Sequence, residues 1–419
     1  MTSSMSSPEV LVLVFLLLAT AQAFSVQAPP SSPLPSPSAA ASTKKNDKPQ
    51  RVKPIPYIAT TSSKEHGRAL AQFIREGDSV LELGTQLDAS SETILNGIGS
   101  TGSAVLVDVQ RTETNSGRTS QGSRNVNKFL AAGRQDIEGD GLIAAENYEY
   151  IEIEQFSLWK SILDNHDSPF DVLVLDATAM LGNDLGLTSL SVIAEFVDDM
   201  MRKESRPRVV LVKSKAVASL ARRLVHAQRL FDGTILRDLT SPSRDGRPYI
   251  IAGVGVEEYR RTIPHVVKEG DKIVEVGCFS GTTTALVHES ANPQKQGYCI
   301  GVDIGPRIIE RAKREHPSMK FAVGDGFKSL ELMRIKQQCY PEHSSDKMLE
   351  GFDVIYADIG GLSGPDGLTD SLSLLDGLGY ALEPRCIIIK SLCMRRLASS
   401  LRSYSELWEQ SKEREAKAS

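Results

Sequence analysis

Three stretches decide the fold: IVEVGCFSGTTT at residues 273–284, GYCIGVDIGPRIIERAK at 297–313 and FDVIYADIGG at 352–361. Each is a short apolar run that stops abruptly at Gly or Asp. A strand buried on both faces delivers its loop to one edge of a parallel sheet in this way. In an open α/β sheet, ligands bind outside the carboxyl ends of the strands. The pattern therefore predicts a nucleotide-like ligand beside Gly277, Asp303 and Asp358.

Upstream, the approach to this region has an echo. YIATTSSKEHGRALAQFIREGDSVLELGT, from Tyr57, is matched by YIIAGVGVEEYRRTIPHVVKEGDKIVEVGC, from Tyr249. Glu82 and Glu275 hold the same place in the shared core, 193 positions apart. Further landmarks return in the same order: AVLVD ending at Asp108 with CIGVD ending at Asp303, FDVLVLDAT with FDVIYADIG, and PRVVLVKS with PRCIIIKS. Repeated landmarks in one order predict a tandem duplication of a βαβ-type unit.

Helix-length segments separate the strand runs. RIIERAKREH, for example, sets Ile308, Ile309 and Ala312 against a charged face. The expected fold class is α/β: two tandem Rossmann-like doubly wound sheets, one over residues 54–248 and one over 249–407. Residues 112–145 read as a polar insertion in the first unit, and 408–419 as a solvated charged tail. Phe327, Leu330 and Met333, spaced by three, read as the core face of a helix. His265, His288 and His316 are scattered and read as surface or helix-face residues.

The formal charge over 419 residues is −5. The first 53 residues hold five of the 48 Lys and Arg and two of the 53 Asp and Glu, so the remainder carries 43 basic against 51 acidic groups, or −8. A body that acidic has no global field for nucleic acid, so RNA contact would need a local basic patch. The candidates are Arg202, Lys203, Arg206 and Arg208, then Arg222 with Arg223, then Arg395 with Arg396; such runs are usually solvated helix faces. Cys278, Cys299, Cys339, Cys386 and Cys393 show no C-x-x-C pair and no zinc spacing, which reads as reduced thiols without a metal.

Residues 1–53 read as an address. Val10 to Ala23 is a short apolar core ending in Ala21-Gln22-Ala23, the form of a signal-peptidase site, and too short to imply stable membrane insertion after processing. The segment from Phe24 to Lys53 is rich in Ser, Pro, Ala and basic residues with the single acid Asp47. Signal peptide, Phe24 at the junction, then an acid-poor stretch resembles the bipartite plastid presequence of diatoms and related algae. The resemblance implies a plastid-stroma protein; a secreted or endoplasmic-reticulum protein with a Pro-rich linker is the other reading.

Over about residues 255–400 the chain resembles the class I S-adenosylmethionine-dependent methyltransferases. The motifs that carry this are, in order, EVGCFSG, GVDIG, VGDG and ADIGG. The resemblance implies S-adenosyl-L-methionine as cofactor, with Glu275 among its binding residues, Gly277 and Gly281 at its methionine end, Asp303 at its ribose and Asp325 at its adenine. Without a Cβ, Gly277 and Gly281 let the backbone pass close to a ligand and supply amide donors. Asp358 and Lys390 are the catalytic candidates, a desolvated lysine held by an aspartate. The pair is similar to part of the Lys-Asp-Lys-Glu set of RNA ribose 2′-O-methyltransferases, which leaves RNA or a small hydroxyl compound as the methyl acceptor.

The first unit departs from this pattern, with Asp88 where the second has Gly281. A carboxylate there opposes a cofactor carboxylate, so the first unit is expected to serve as a scaffold or substrate platform. Asp176 and Lys213 repeat the Asp358 and Lys390 pair, either as a structural tie between strand ends or as catalytic relics. The reading from a different class is a non-catalytic binding or assembly protein.

Overall fold

The computed structural model of the chain describes residues 53–418 except 86, 88, 110–146, 177, 179–185, 236–238, 240, 242, 244, 293–296, 342–350 and 363–366. The presequence apart from Lys53, the insertion at 112–145, and Asp88 lie outside the described residues.

The first half contributes β1 (Tyr57–Thr60), β2 (Ser79–Leu83), β3 (Ser103–Val109), β4 (Tyr148–Ile153), β5 (Val172–Leu175), β6 (Val209–Lys213) and β7 (Leu224–His226). Between them run α1 (Ser63–Phe73), α2 (Ala89–Ile98), α3 (Trp159–Asn165), α4 (Gly186–Arg202) and α5 (Lys215–Arg223), with α6 (Ala227–Phe231) after β7. The second half contributes β8 (Tyr249–Gly253), β9 (Lys272–Val276), β10 (Tyr298–Asp303), β11 (Lys320–Val323), β12 (Val354–Ala357), β13 (Cys386–Lys390) and β14 (Leu401–Ser403). Its helices are α7 (Gly255–Arg261), α8 (Ile263–Val266), α9 (Thr282–Ala291), α10 (Pro306–Glu315), α11 (Ser329–Cys339), α12 (Gly367–Leu382), α13 (Leu392–Ser400) and α14 (Tyr404–Ala418).

These strands form two seven-stranded sheets, ordered β14-β1-β6-β5-β2-β3-β4 and β11-β10-β9-β12-β13-β8-β7, with every pairing parallel. The fold is therefore two Rossmann-like doubly wound sheets. In each, the strand order reverses at one point, between β2 and β5 in the first and between β9 and β12 in the second. Such a reversal opens the crevice where ligands sit in α/β sheets.

Side-chain alternation builds the layers. In β9, Val274 and Val276 face one core while Ile273 faces another, and in β13 Ile387 and Ile389 oppose Ile388. One face of each sheet packs into a shared central core: Leu173 and Leu175 of β5 and Ile355 and Ala357 of β12 belong to the same cluster. Residues from α4, α5, α12 and α13, among them Phe196, Val217, Leu378 and Met394, complete it. The outer face of the first sheet is covered by α1 and α2 through Leu70, Ile94 and Ile98, and that of the second by Tyr259, Val266 and Val287.

The two halves also repeat each other's polar fastenings. Arg208 pairs with Asp78 ahead of β6 and β2, and Arg385 pairs with Asp271 ahead of β13 and β9. Asp171 accepts from the Ser79 amide at 3.0 Å, and Asp353 from the Lys272 amide at 2.8 Å. Ser214 caps α5 through the Val217 amide, and Ser391 caps α13 through the Met394 amide.

The halves do not each build one sheet. β7, from the first half, pairs with β8, placing Leu224 opposite Ile250; β14, from the second, pairs with β1, placing Leu401 opposite Tyr57. Each half covers the open edge of the other's first strand, which satisfies a row of backbone groups that would otherwise be exposed. A three-residue strand such as LVH or LRS carries no alternation by which sequence reading could place it.

Other differences concern helices. Phe327 and Leu330 are 48% and 69% exposed, and the buried face of α11 is formed by Leu332 and Ile335. The spacing by three was therefore one face out of phase, because Phe327 precedes the helix rather than opening it. The segment 408–419 is largely the exposed end of α14, whose start packs Tyr404 and Leu407 against the outer core of the first sheet. Part of each basic run is tied down, with Arg208 to Asp78, Arg223 to Pro248 O at 3.0 Å, Lys203 to His166 O at 3.0 Å and Arg395 to Glu258 at 3.0 Å, while Arg202, Arg206 and Arg396 are exposed.

Candidate functional site

At the carboxyl ends of β9, β10, β12 and β13 lies a cavity of about 330 Å³ lined by Glu275, Gly277, Asp303, Asp358 and Lys390. Five of the seven residues singled out in the sequence thus meet in one place. Gly281 and Asp325 do not line it: Asp325 accepts from the Phe327 amide at 3.0 Å and faces Lys328 at 3.5 Å. The volume is at the small end of the range for ligand sites.

Gly277 ends β9 with φ of +80°, and a Cβ there would fall 2.0 Å from the Asp358 carbonyl oxygen. The glycine is required because the β9 and β12 loops cross at the switch point, whether or not a ligand is present. Gly281 has φ of +81°, and its Cβ would meet the Phe321 ring at 2.5 Å. The expected amide donors are also engaged internally. Gly277 N donates to Val302 O at 2.8 Å, and Gly281 N to Cys278 O at 2.8 Å. What the loop offers instead is the first turn of α9, which starts at Thr282 with no side-chain cap. Uncapped first-turn amides and the helix dipole favour an anion.

Two residues that sequence reading missed stand beside that turn. Arg260, on α7, lines the cavity and donates from Nε to Thr283 Oγ1 at 2.9 Å. Nothing in the run EEYRR separates it from Arg261, whose guanidinium lies 4.2 Å above the Phe231 ring. Phe279, also in the lining, is 58% exposed at φ of +48°. A phenylalanine held in that conformation and exposed in a binding crevice is strained in the way ligand clamps are.

Glu275 is buried in β9 and accepts from Thr284 Oγ1 at 2.5 Å. Burial pushes its carboxyl up to about 8, with the nearby Asp358 charge acting in the same direction and the Thr284 hydrogen bond opposing. The first half keeps this arrangement, with Glu82 accepting from Ser91 Oγ at 2.9 Å. Asp303, at the end of β10, accepts from Phe279 N at 3.3 Å and Gly305 N at 2.9 Å. Ile304, which follows it, is 72% exposed.

Lys390 Nζ, at the end of β13, donates to both carboxylate oxygens of Asp358, at 2.5 Å to Oδ2. In the first half Lys213 donates to Asp176 at 2.7 Å in the same register. Asp108, in the place of Asp303, faces Glu152 across β3 and β4. Among the described residues no group of His, Cys, Asp and Glu could hold a metal ion.

No family model matches the chain, and no curated protein matches it. Solved structures do. A TehB-like SAM-dependent methyltransferase from Corynebacterium glutamicum is 21% identical over 31% of this chain and 60% of its own, with a TM-score of 0.22. The amino pentose methyltransferase CalS10 from Micromonospora echinaspora, solved with SAM bound, is 13% identical over 30% of this chain and 42% of its own, with a TM-score of 0.20. Fibrillarin from Aeropyrum pernix, in complex with natively bound S-adenosyl-L-methionine, is 24% identical over 26% of this chain and 41% of its own, with a TM-score of 0.17. These likenesses span about a third of the chain or less, and the fold assignment rests on its own strand order.

Proposed function

We propose that the second half binds S-adenosylmethionine and transfers its methyl group to a hydroxyl. The observation that carries this reading is the convergence of Glu275, Gly277, Asp303, Asp358 and Lys390 on one cavity at the switch point. The donor set suits the cofactor: Arg260 beside the uncapped turn of α9 for the carboxylate, Asp303 for ribose hydroxyls, and exposed Ile304 as an apolar face for the base. When bound, the cofactor supplies an electrophilic methyl group. The residues supply position, and the acceptor's hydroxyl proton passes to the Asp358 and Lys390 pair.

The structural use of Arg208, Arg223 and Arg395 weighs for a small hydroxyl compound over RNA as acceptor. Residues 1–23 and 24–53 are read as signal and transit peptides for the plastid stroma, tested by the location of a fluorescent fusion carrying residues 1–53. The matched fastenings of the two halves support a tandem duplication in which the first site is degenerate.

One observation favours a non-catalytic binding or assembly protein: the same ion pair holds Asp176 and Lys213 in the first half, so the pair at Asp358 can be purely structural. Titration calorimetry of S-adenosylmethionine into the processed chain separates the readings. The expected result is micromolar binding, lost in Asp303→Ala and in Gly281→Asp. The second substitution also disturbs Phe321, so Asp303→Ala is the cleaner control. No binding to the parent chain transfers the weight to the assembly protein.

A further inference from the structure

A second cavity, of about 710 Å³, lies away from this site, between helices of the two halves. Leu190 of α4, Leu220 of α5, Ile250 of β8 and Leu375 of α12 give it an apolar wall. Arg223, the last residue of α5, also lines it and is only 7% exposed. One amino group of that guanidinium donates to Pro248 O at 3.0 Å, and its buried Nε has no hydrogen-bond partner among the described residues. Arg247, a second cation, stands on the same lining.

A buried guanidinium beside another cation is unfavourable unless something compensates it. Burial, and after it the charge of Arg247, pull Arg223 down to about 10, against the weaker attraction of Asp245 and Asp376. Asp376 and Glu383 line the cavity from exposed positions at α12 and just beyond it, and neither forms an ion pair with Arg223. Side-chain identity marks the site as particular to this half. The Ser214 and Ser391 caps align Val217 with Met394, which puts Ser400 at the place of Arg223. The other half thus has neither the cation nor the smaller Val217 that opens the wall.

We propose that this cavity is a binding site for a small organic anion with an apolar or aromatic body, its oxyanion on the Arg223 and Arg247 guanidiniums and its body against Leu190, Leu220 and Leu375. The volume suits a ligand of one or two rings. A guanidinium fork suits an oxyanion better than a lone ammonium does.

The test uses 8-anilinonaphthalene-1-sulfonate and its uncharged counterpart N-phenyl-1-naphthylamine, read by fluorescence on the folded chain. The expected result is saturable binding of one sulfonate probe per chain, displaced by octanoate. In Arg223→Leu, affinity for the sulfonate falls at least tenfold while that for the neutral probe is kept. Leu187→Trp, at a 44% exposed lining position, is expected to weaken both probes, and it serves if Arg223→Leu does not fold. Sulfonate binding that does not saturate, that is unchanged in a folded Arg223→Leu, or, where that variant does not fold, that is unchanged in Leu187→Trp, overturns the proposal.

Discussion

Arg385 holds Asp271 through two hydrogen bonds, at 2.8 Å to Oδ1 and 2.6 Å to Oδ2, and from the same guanidinium donates to Val266 O at 2.9 Å. The two side chains are 11% and 8% exposed, so removing one partner strands a desolvated charge. Arg385→Ala is expected to cost about 3 kcal/mol in denaturant unfolding. The double variant Arg385→Met with Asp271→Leu should cost clearly less, because no charge is then left unpaired. Equal losses in the single and double variants would contradict this account.

Glu275 makes stability depend on pH with a definite sign. Its folded carboxyl titrates near 8 and its unfolded one near the ordinary glutamate value, so between those limits the folded state holds the extra proton. Stability is fully present below the unfolded value and is lost as pH rises towards 8, by at most about 1.4 kcal/mol per pH unit. Glu275→Gln, whose amide oxygen can still accept from Thr284, should flatten the fall in Tm between pH 5.5 and pH 8. An unchanged slope in the variant would show that other groups set it.

Tyr259 is fully buried, and its hydroxyl has no hydrogen-bond partner among the described residues. Its ring meets Tyr356 edge-on at 5.2 Å, a contact that phenylalanine keeps. Tyr259→Phe is therefore expected to be neutral or to stabilise the chain by about 1 kcal/mol. A loss of Tm beyond a degree or two would mean that the hydroxyl is bonded in solution, with a buried water as partner.

Strand ends were legible in the sequence because parallel strands buried on both faces leave uninterrupted apolar runs that stop at Gly or Asp. IVEV, CIGVD and VIYAD are all read this way, and with them the residues at the switch point. Arg260 was not legible, since a single arginine on a short helix has no motif. Gly277 was legible as a glycine, but the reason for it is the carbonyl oxygen of Asp358, which is remote in sequence. The exchange of β7 and β14 was hidden for a related cause: a three-residue edge strand is specified by the neighbour it covers.

Lys390 and Lys213 offer a matched comparison, since both pairs sit at strand ends with side chains 14–28% exposed. Lys213→Met and Lys390→Met should lower Tm by similar amounts, each removing the lysine from a largely buried aspartate. Only Lys390→Met should abolish methyl transfer once an acceptor is found. Equal activity in the two variants would reduce the pair at Asp358 to a structural tie.

The exchange of edge strands sets what a fragment can do. A piece ending at residue 248 keeps β7 but loses β8, its strand partner among the described residues, and leaves the β1 edge without β14. Half of the shared central core is also uncovered, including Leu173, Leu175 and Phe196. An exposed parallel edge over an apolar face favours association. Residues 53–248 and 249–419, expressed alone, should therefore be insoluble or oligomeric, whereas co-expressed they should copurify one to one and elute at the size of the uncut chain. A monodisperse, cooperatively unfolding fragment of residues 53–248 would show that the first sheet closes its own edge and that the exchange is dispensable.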